Sequence, residues 1–178
     1  TLEITETESL IIQGIMRIKN SIFIICVTLL LCSCDKNRVF DEYKSFDGTW
    51  NKDSIASFEF EQQDTTSLYN MFINIRNNND YPYNNIFLIV EMLEPGNERA
   101  KVDTLEYQMA YPDGTLMGEG FTDVKESKLW YKENQRFPVQ GTYKVNIQQA
   151  VREADKIPGV EELPGIIDVG LRIESTEE

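Results

Sequence analysis

The sequence predicts a mainly all-β domain, an antiparallel β-sandwich or jelly roll of about seven or eight strands with one or two short helices, behind an amino-terminal targeting segment. Three observations carry that expectation. Apolar residues recur at every second position in several short runs, and clusters of Pro, Gly, Asn and Asp punctuate them. Amphipathic stretches of ten or more residues, which a doubly wound α/β fold needs between its strands, are missing.

The targeting segment comes first. Met16-Arg17-Ile18-Lys19-Asn20 is a short positive stretch, followed by the apolar run 22–31 and then Cys32-Ser33-Cys34. Ten helical residues rise only about 15 Å, half the hydrocarbon core of a bilayer, so residues 16–33 read as a removable signal peptide. Leu31-Cys32-Ser33-Cys34 resembles the bacterial lipobox, which implies a diacylglycerol thioether on Cys34 and, after cleavage, an acyl chain such as palmitate on its amino group. Several acyl chains at about 0.8 kcal/mol per buried methylene give a durable membrane anchor. Residues 1–15 put Glu3, Glu6 and Glu8 ahead of a methionine that opens a complete signal, so they read as an upstream extension of the reading frame.

After Cys34, the polar stretch up to residue 52 reads as a lipidated tether, and residues 53–178 as the folded domain. Ala56, Phe58 and Phe60 share one face of a first strand, and Tyr69, Met71, Ile73 and Ile75 one face of the next. Residues 76–82 form a turn cluster. The nearly continuous apolar run 86–93 reads as a central strand, ended by Pro95-Gly96-Asn97. Residues 102–109 make a further strand whose inner face falls on the odd positions, and Pro112-Asp113-Gly114 is a strong turn. Residues 116–121 are glycine-rich. Residues 122–134 read as a short helix leading into a strand at Leu129-Trp130-Tyr131. Tyr143, Val145 and Ile147 alternate cleanly, residues 148–156 suit one or two helical turns before Pro158, and 166–173 closes the domain.

Composition narrows the chemistry. Thirty acids against 17 bases give a net charge of -13, and removing Glu3, Glu6, Glu8, Arg17 and Lys19 leaves 27 acids against 15 bases. Such a surface repels phosphate backbones, so nucleic acid is not an expected partner, and solubility in the cell envelope accounts for the acidity. Histidine is absent, and the three cysteines are Cys26, Cys32 and Cys34. The processed chain therefore has no thiol other than the acylated one, no internal disulfide and no Cys-His or Ser-His machinery. No P-loop, G-x-S-x-G elbow or EF-hand occurs. Asp80, Asp113 and Asp123 read as turn residues before calcium ligands, and a carboxylate pair at glycosidase spacing would arise by chance among so many acids. Trp50, Trp130 and Tyr131 could stack on a sugar ring, although burial in the core explains them more simply. No catalytic residue, metal ligand or cofactor is assigned.

Several stretches resemble one family, the gliding-motility lipoproteins called GldH of the Bacteroidota. They are Cys34-Asp35-Lys36-Asn37-Arg38-Val39-Phe40, Asn74-Ile75-Arg76-Asn77 with Asn79-Asp80-Tyr81-Pro82-Tyr83-Asn84-Asn85, and Asp103-Thr104-Leu105-Glu106. Gly118-Glu119-Gly120-Phe121, Arg136-Phe137-Pro138 with Gly141-Thr142-Tyr143, Gln149-Ala150-Val151-Arg152 and residues 163–173 fit as well. The resemblance implies a non-enzymatic envelope lipoprotein needed for gliding, in a process tied to type IX secretion. Read from the residues alone, Pro82, Pro138 and Pro164 set turns, while Gly141 and Gly165 permit tight turns into strands.

The leading expectation is a lipid-anchored component that docks to other gliding or secretion proteins through a sheet surface or edge strand. Tyr81 and Tyr83, expected to be exposed on either side of Pro82 beside an Asn-rich turn, are the candidate partner surface. Residues 35–40 lack the acidic run that resembles surface-export signals of this phylum, which favours an anchor facing the periplasm. A glycan-binding envelope lipoprotein is the alternative, and it would need exposed coplanar aromatics in a groove. A carboxylate hydrolase ranks third.

Overall fold

The computed structural model describes residues 36–120, 122–153 and 158–176, and from Asn37 onward they belong to one unit. The chain runs through β1 (Arg38–Ser45), β2 (Thr49–Asn51), β3 (Ala56–Gln62), β4 (Tyr69–Asn77), β5 (Asn85–Leu93), β6 (Lys101–Gln108), β7 (Lys125–Gln135), β8 (Gly141–Gln149), β9 (Glu162–Pro164) and β10 (Ile166–Ser175). The pairing is palindromic. β1 joins β10, β2 joins β9, β3 joins β8, β4 joins β7 and β5 joins β6, all antiparallel, as in one long hairpin whose tip is the 94–100 turn. Rolling that hairpin up adds the β10–β4 and β8–β5 pairings, and the result is two four-stranded sheets, β1-β10-β4-β7 and β3-β8-β5-β6. This is the jelly-roll alternative of the expected sandwich. The three-residue pair β2–β9 bridges the corner between the sheets.

Period-two alternation sets which side chains enter the core. Ala56 and Phe58 from β3, Ile86, Leu88, Val90 and Met92 from β5, and Tyr143, Val145 and Ile147 from β8 meet Met71, Ile73, Ile75, Val169, Leu171 and Ile173 from the facing sheet, all at most 1% exposed. At one end, Phe60 contacts Phe40, Phe137 and Tyr143 at ring separations of 5.3–5.6 Å, and Tyr69 joins through Phe137. That end carries the start of β1, the end of β10 and the loops 63–68, 94–100 and 136–140. They are tied together by the Gln140 amide donating to the Gln63 carbonyl at 2.8 Å and the Thr176 N–H donating to the Leu68 carbonyl at 3.1 Å. The opposite end carries the loops 46–48, 52–55 and 78–84 and the described residues of 109–124 and 150–161.

Three expectations are corrected. No helix occurs among the described residues: 125–135 is one continuous strand, because pairing with the whole length of β4 satisfies its backbone. Gln148 and Gln149 remain in β8, and a bridge between Arg152 and Gly159 follows, with part of the expected helical stretch, 154–157, outside the described residues. The stretch read as a tether enters a sheet at Arg38. Charged residues on both sides of Phe40 hid that edge strand, whose single inward ring rests on Phe60. Finally, β4 is buried on both faces, with Phe72 and Asn74 only 4% and 2% exposed, because side chains from β1 and β7 cover its outer side.

Candidate functional site

Cys34, the expected lipid attachment point, lies outside the described residues. The expected partner surface is the 78–84 turn, and its backbone is held from all sides. The Asn78 N–H donates to the Gly165 carbonyl at 2.8 Å, the Tyr81 N–H donates to the Asn78 carbonyl at 3.2 Å, and the Met109 and Ala110 N–H groups share the Asn84 carbonyl at 2.7 and 3.1 Å. The Asn78 side chain closes an Asx turn onto the Asp80 N–H at 2.9 Å.

Tyr81 was expected to be exposed and is not. It is 4% exposed, and its hydroxyl donates to the Asn85 carbonyl at 2.7 Å, so it anchors the turn from beneath. Burial foremost drives the Tyr81 phenol well above its ordinary pKa. The backbone can approach this closely because residue 165 is glycine: its φ is +82°, and a Cβ there would lie 2.2 Å from the Tyr81 nitrogen. Pro82 is exposed and Tyr83 half-buried, its ring edge-on to Tyr81 at 5.9 Å. The turn therefore presents Asn79, Asp80, Pro82, Asn84 and the rim of Tyr83 on a backbone held in place by these bonds.

Sequence reasoning missed a second feature, the outer face of the β1-β10-β4-β7 sheet. In its first row Arg76 donates to Glu126 at 2.5 Å and reaches Asp168 at 3.4 Å, while its guanidinium lies 4.0 Å from the centre of the Tyr43 ring. The Tyr43 hydroxyl donates to Glu126 at 3.0 Å and accepts from the Asn74 amide at 2.8 Å. Burial first, and then the Glu126 charge, push the Tyr43 phenol up to about 12. Further along, Arg172 spans Asp41 at 2.8 Å and Glu174 at 2.5 Å, and Lys128 joins Glu174 at 2.7 Å while sitting 4.0 Å above the Phe72 ring. Trp130 caps this row, 55% exposed and 4.4 Å from Phe72. The available signal was the alternation of Asp168, Gly170, Arg172 and Glu174 with Val169, Leu171 and Ile173. Charged residues at such positions look the same whether solvated or interlocked, since their partners lie on three other strands.

The carboxylates whose titration is displaced move in one direction. Burial opposes the charge on Glu174, but hydrogen bonds from Lys128 and Arg172 outweigh it and hold the group below its ordinary value. The Lys132 hydrogen bond, against some burial and with help from the Tyr131 hydroxyl, does the same for Asp103. Asp64 and Asp113 are lowered by hydrogen bonds within their own turns. A general acid at neutral pH needs the opposite shift. Among the described residues no group of three or more Asp, Glu, His or Cys side chains could hold a metal ion. Of the three aromatics considered for sugar stacking, Trp50 is fully buried, donating its indole N–H to the Ser54 carbonyl at 2.7 Å, and the Tyr131 hydroxyl is turned to Asp103. Trp130 alone of the three stands at the surface.

Comparison with known proteins agrees with the sequence resemblance. The pattern of the family described as GldH lipoprotein matches residues 38–173. The Gliding motility lipoprotein GldH of Flavobacterium johnsoniae is 60% identical over 162 residues, covering 91% of this chain and 100% of its own. A Gliding motility lipoprotein GldH homolog of Christiangramia forsetii is 53% identical over 163 residues, covering 91% of this chain and 99% of its own. Among solved structures, the infectious bursal disease virus VP2 subviral particle superposes on 79% of this chain with a TM-score of 0.38 and 12% identity, and the chain spans 33% of that protein's length.

Proposed function

The chain belongs to the GldH lipoprotein family, and from that premise we propose that it is a non-catalytic component of the gliding-motility machinery that works by contact. Acyl chains on Cys34 hold it in the cell envelope, facing the periplasm, and it docks to other proteins of the gliding and type IX secretion apparatus. The observation that supports docking is the 78–84 turn, whose backbone is fixed by Gly165, Asn84 and the buried Tyr81 while Pro82 and the rim of Tyr83 remain outside. A rim ordered in advance loses little entropy on binding, which is what a contact surface requires.

Allelic exchange tests this in a gliding strain whose own gene has been deleted. Cys34→Ser should abolish both membrane partition and colony spreading. Pro82→Ser combined with Tyr83→Ser should abolish spreading at unchanged protein level and membrane partition. Normal spreading of the double variant removes the turn as the docking surface. Normal spreading and membrane partition of Cys34→Ser remove the anchored reading altogether.

The glycan-binding alternative rests on Trp130, a single exposed indole packed on Phe72. Calorimetric titration with envelope and plant polysaccharides that yields no heat discards it.

A further inference from the structure

The strand at Arg38 changes what the lipid does to the domain. Between Cys34 and the first residue held by the sheet there are only Asp35 and Lys36, for the Asn37 carbonyl already accepts the Ser175 N–H at 2.8 Å. Three residue steps span at most about 11 Å when fully extended. A tether of the length expected from sequence would have let the domain tumble freely above the bilayer. This leash cannot, and it is attached at one particular end of the jelly roll.

That end differs from the other in charge. Among the described residues of the loops 63–68, 94–100 and 136–140 with the flanking residues 36–37 and 176, the leash end has three bases, Lys36, Arg99 and Arg136, against three acids, Asp64, Glu94 and Glu98. The described residues of the far-end loops, 46–48, 52–55, 78–84, 109–120, 122–124, 150–153 and 158–161, hold two bases against eight acids. Anionic headgroups therefore repel the far end more strongly, within the Debye length of about 8 Å at physiological salt. Exposed apolar side chains do not separate the ends, for Val39 and Val139, 52% and 40% exposed, lie at the leash end and Ile55 and Tyr111, each 51% exposed, at the far end; the short leash and the charge carry the orientation.

We propose that the end built by loops 63–68, 94–100 and 136–140 rests against the bilayer that holds the Cys34 acyl chains, so that the Pro82–Tyr83 turn is displayed at the opposite end. β10 has ten residues, which sets the separation at about 33 Å. This inference rests on lipidation of Cys34.

The processed chain has no thiol but the acylated one, so single labelling cysteines can be introduced. Lipidated full-length protein carrying Glu98→Cys, Val139→Cys, Asn79→Cys or Tyr111→Cys is labelled with an environment-sensitive fluorophore. Each form is reconstituted in vesicles of phosphatidylethanolamine and phosphatidylglycerol, with and without a headgroup nitroxide lipid. Positions 98 and 139 should be strongly quenched, and positions 79 and 111 unaffected. Equal quenching at the two ends, or quenching confined to 79 and 111, overturns the orientation. So does a blue-shifted label at 98 and 139 that the lipid nitroxide does not quench, which would mean that protein covers this end. Mass analysis of the Cys34 peptide from the same vesicles separates the two failures: an unmodified cysteine overturns the anchor and the orientation together, whereas an acylated cysteine with the wrong quenching pattern overturns the orientation alone.

Discussion

The ring of Tyr43 on β1 lies over Gly170 on β10, where an added Cβ would fall 2.8 Å from two of its ring carbons. The missing side chain makes room for an aromatic that then reaches Glu126 and Asn74 through its hydroxyl and Arg76 through its face. Gly170→Ala should displace the ring and cost about 1–3 kcal/mol by urea unfolding. The cost should shrink in a Tyr43→Ala background, since the two changes address one contact. Additive costs in the double-mutant cycle would refute the coupling.

Arg172→Ala should destabilise by about 2 kcal/mol, the scale of hydrogen bonds to charged groups, because Asp41 and Glu174 are left beside each other without the guanidinium that separates them. Arg172→Lys should recover only part of this, since an ammonium lacks the planar fork that reaches both. The same contact sets an acid limb. The folded state holds Glu174 below its ordinary value of 4.5, so its contribution is present at neutral pH and is lost as pH falls from about 4.5 through the folded value. The variant's stability should fall less steeply over that range in urea titrations at stepped pH.

At the alkaline side the sign reverses. Burial foremost, with Glu126 near Tyr43 and Asp103 near Tyr107, pushes both phenols from 10.0 to about 12. The fold thus favours their neutral forms, and the associated stability is complete below pH 10 and disappears as pH rises from 10 to about 12. Tyrosinate absorbance followed together with circular dichroism should show these phenols ionising along with the loss of β signal. Ionisation of every tyrosine while the fold stays intact would contradict the burial assigned to them.

Gly165→Ala and Gly96→Ala separate steric conflict from backbone strain. Both glycines have positive φ, +82° and +69°, but nothing lies within 4 Å of a Cβ at residue 96, whereas one at residue 165 meets the Tyr81 backbone. Gly96→Ala should cost about 1 kcal/mol, the strain alone. Gly165→Ala should cost about 4 kcal/mol or more and lower the yield of folded protein.

Much of the architecture could be read from the chain because one face of each long strand is buried. Phe58 with Phe60, Tyr143 with Val145 and Ile147, and the 86–93 run announce their strands through alternation or unbroken apolarity, and the Pro95-Gly96-Asn97 turn announces the hairpin tip. β1 and the first part of β7, ahead of the strand read at Leu129-Trp130-Tyr131, were not legible. Each is an edge strand whose outward side chains, Asp41 and Tyr43 on one and Glu126, Lys128 and Trp130 on the other, find their partners across the sheet and not along the sequence. Tyr81 misled for a related reason, since a tyrosine in a polar turn reads as exposed until Gly165, far along the chain, is seen to admit its backbone.

The sequence by itself determined the β class, the absence of histidine and the family, because those are properties of residue type, order and period. Tertiary structure decided that the chain joins a sheet at Arg38, that Tyr81 turns inward, and that charges from four strands interlock on one face. Those outcomes depend on which strands become neighbours when a palindromic hairpin rolls up. That choice is made by burying apolar faces against each other over long separations in the chain, which no local pattern records.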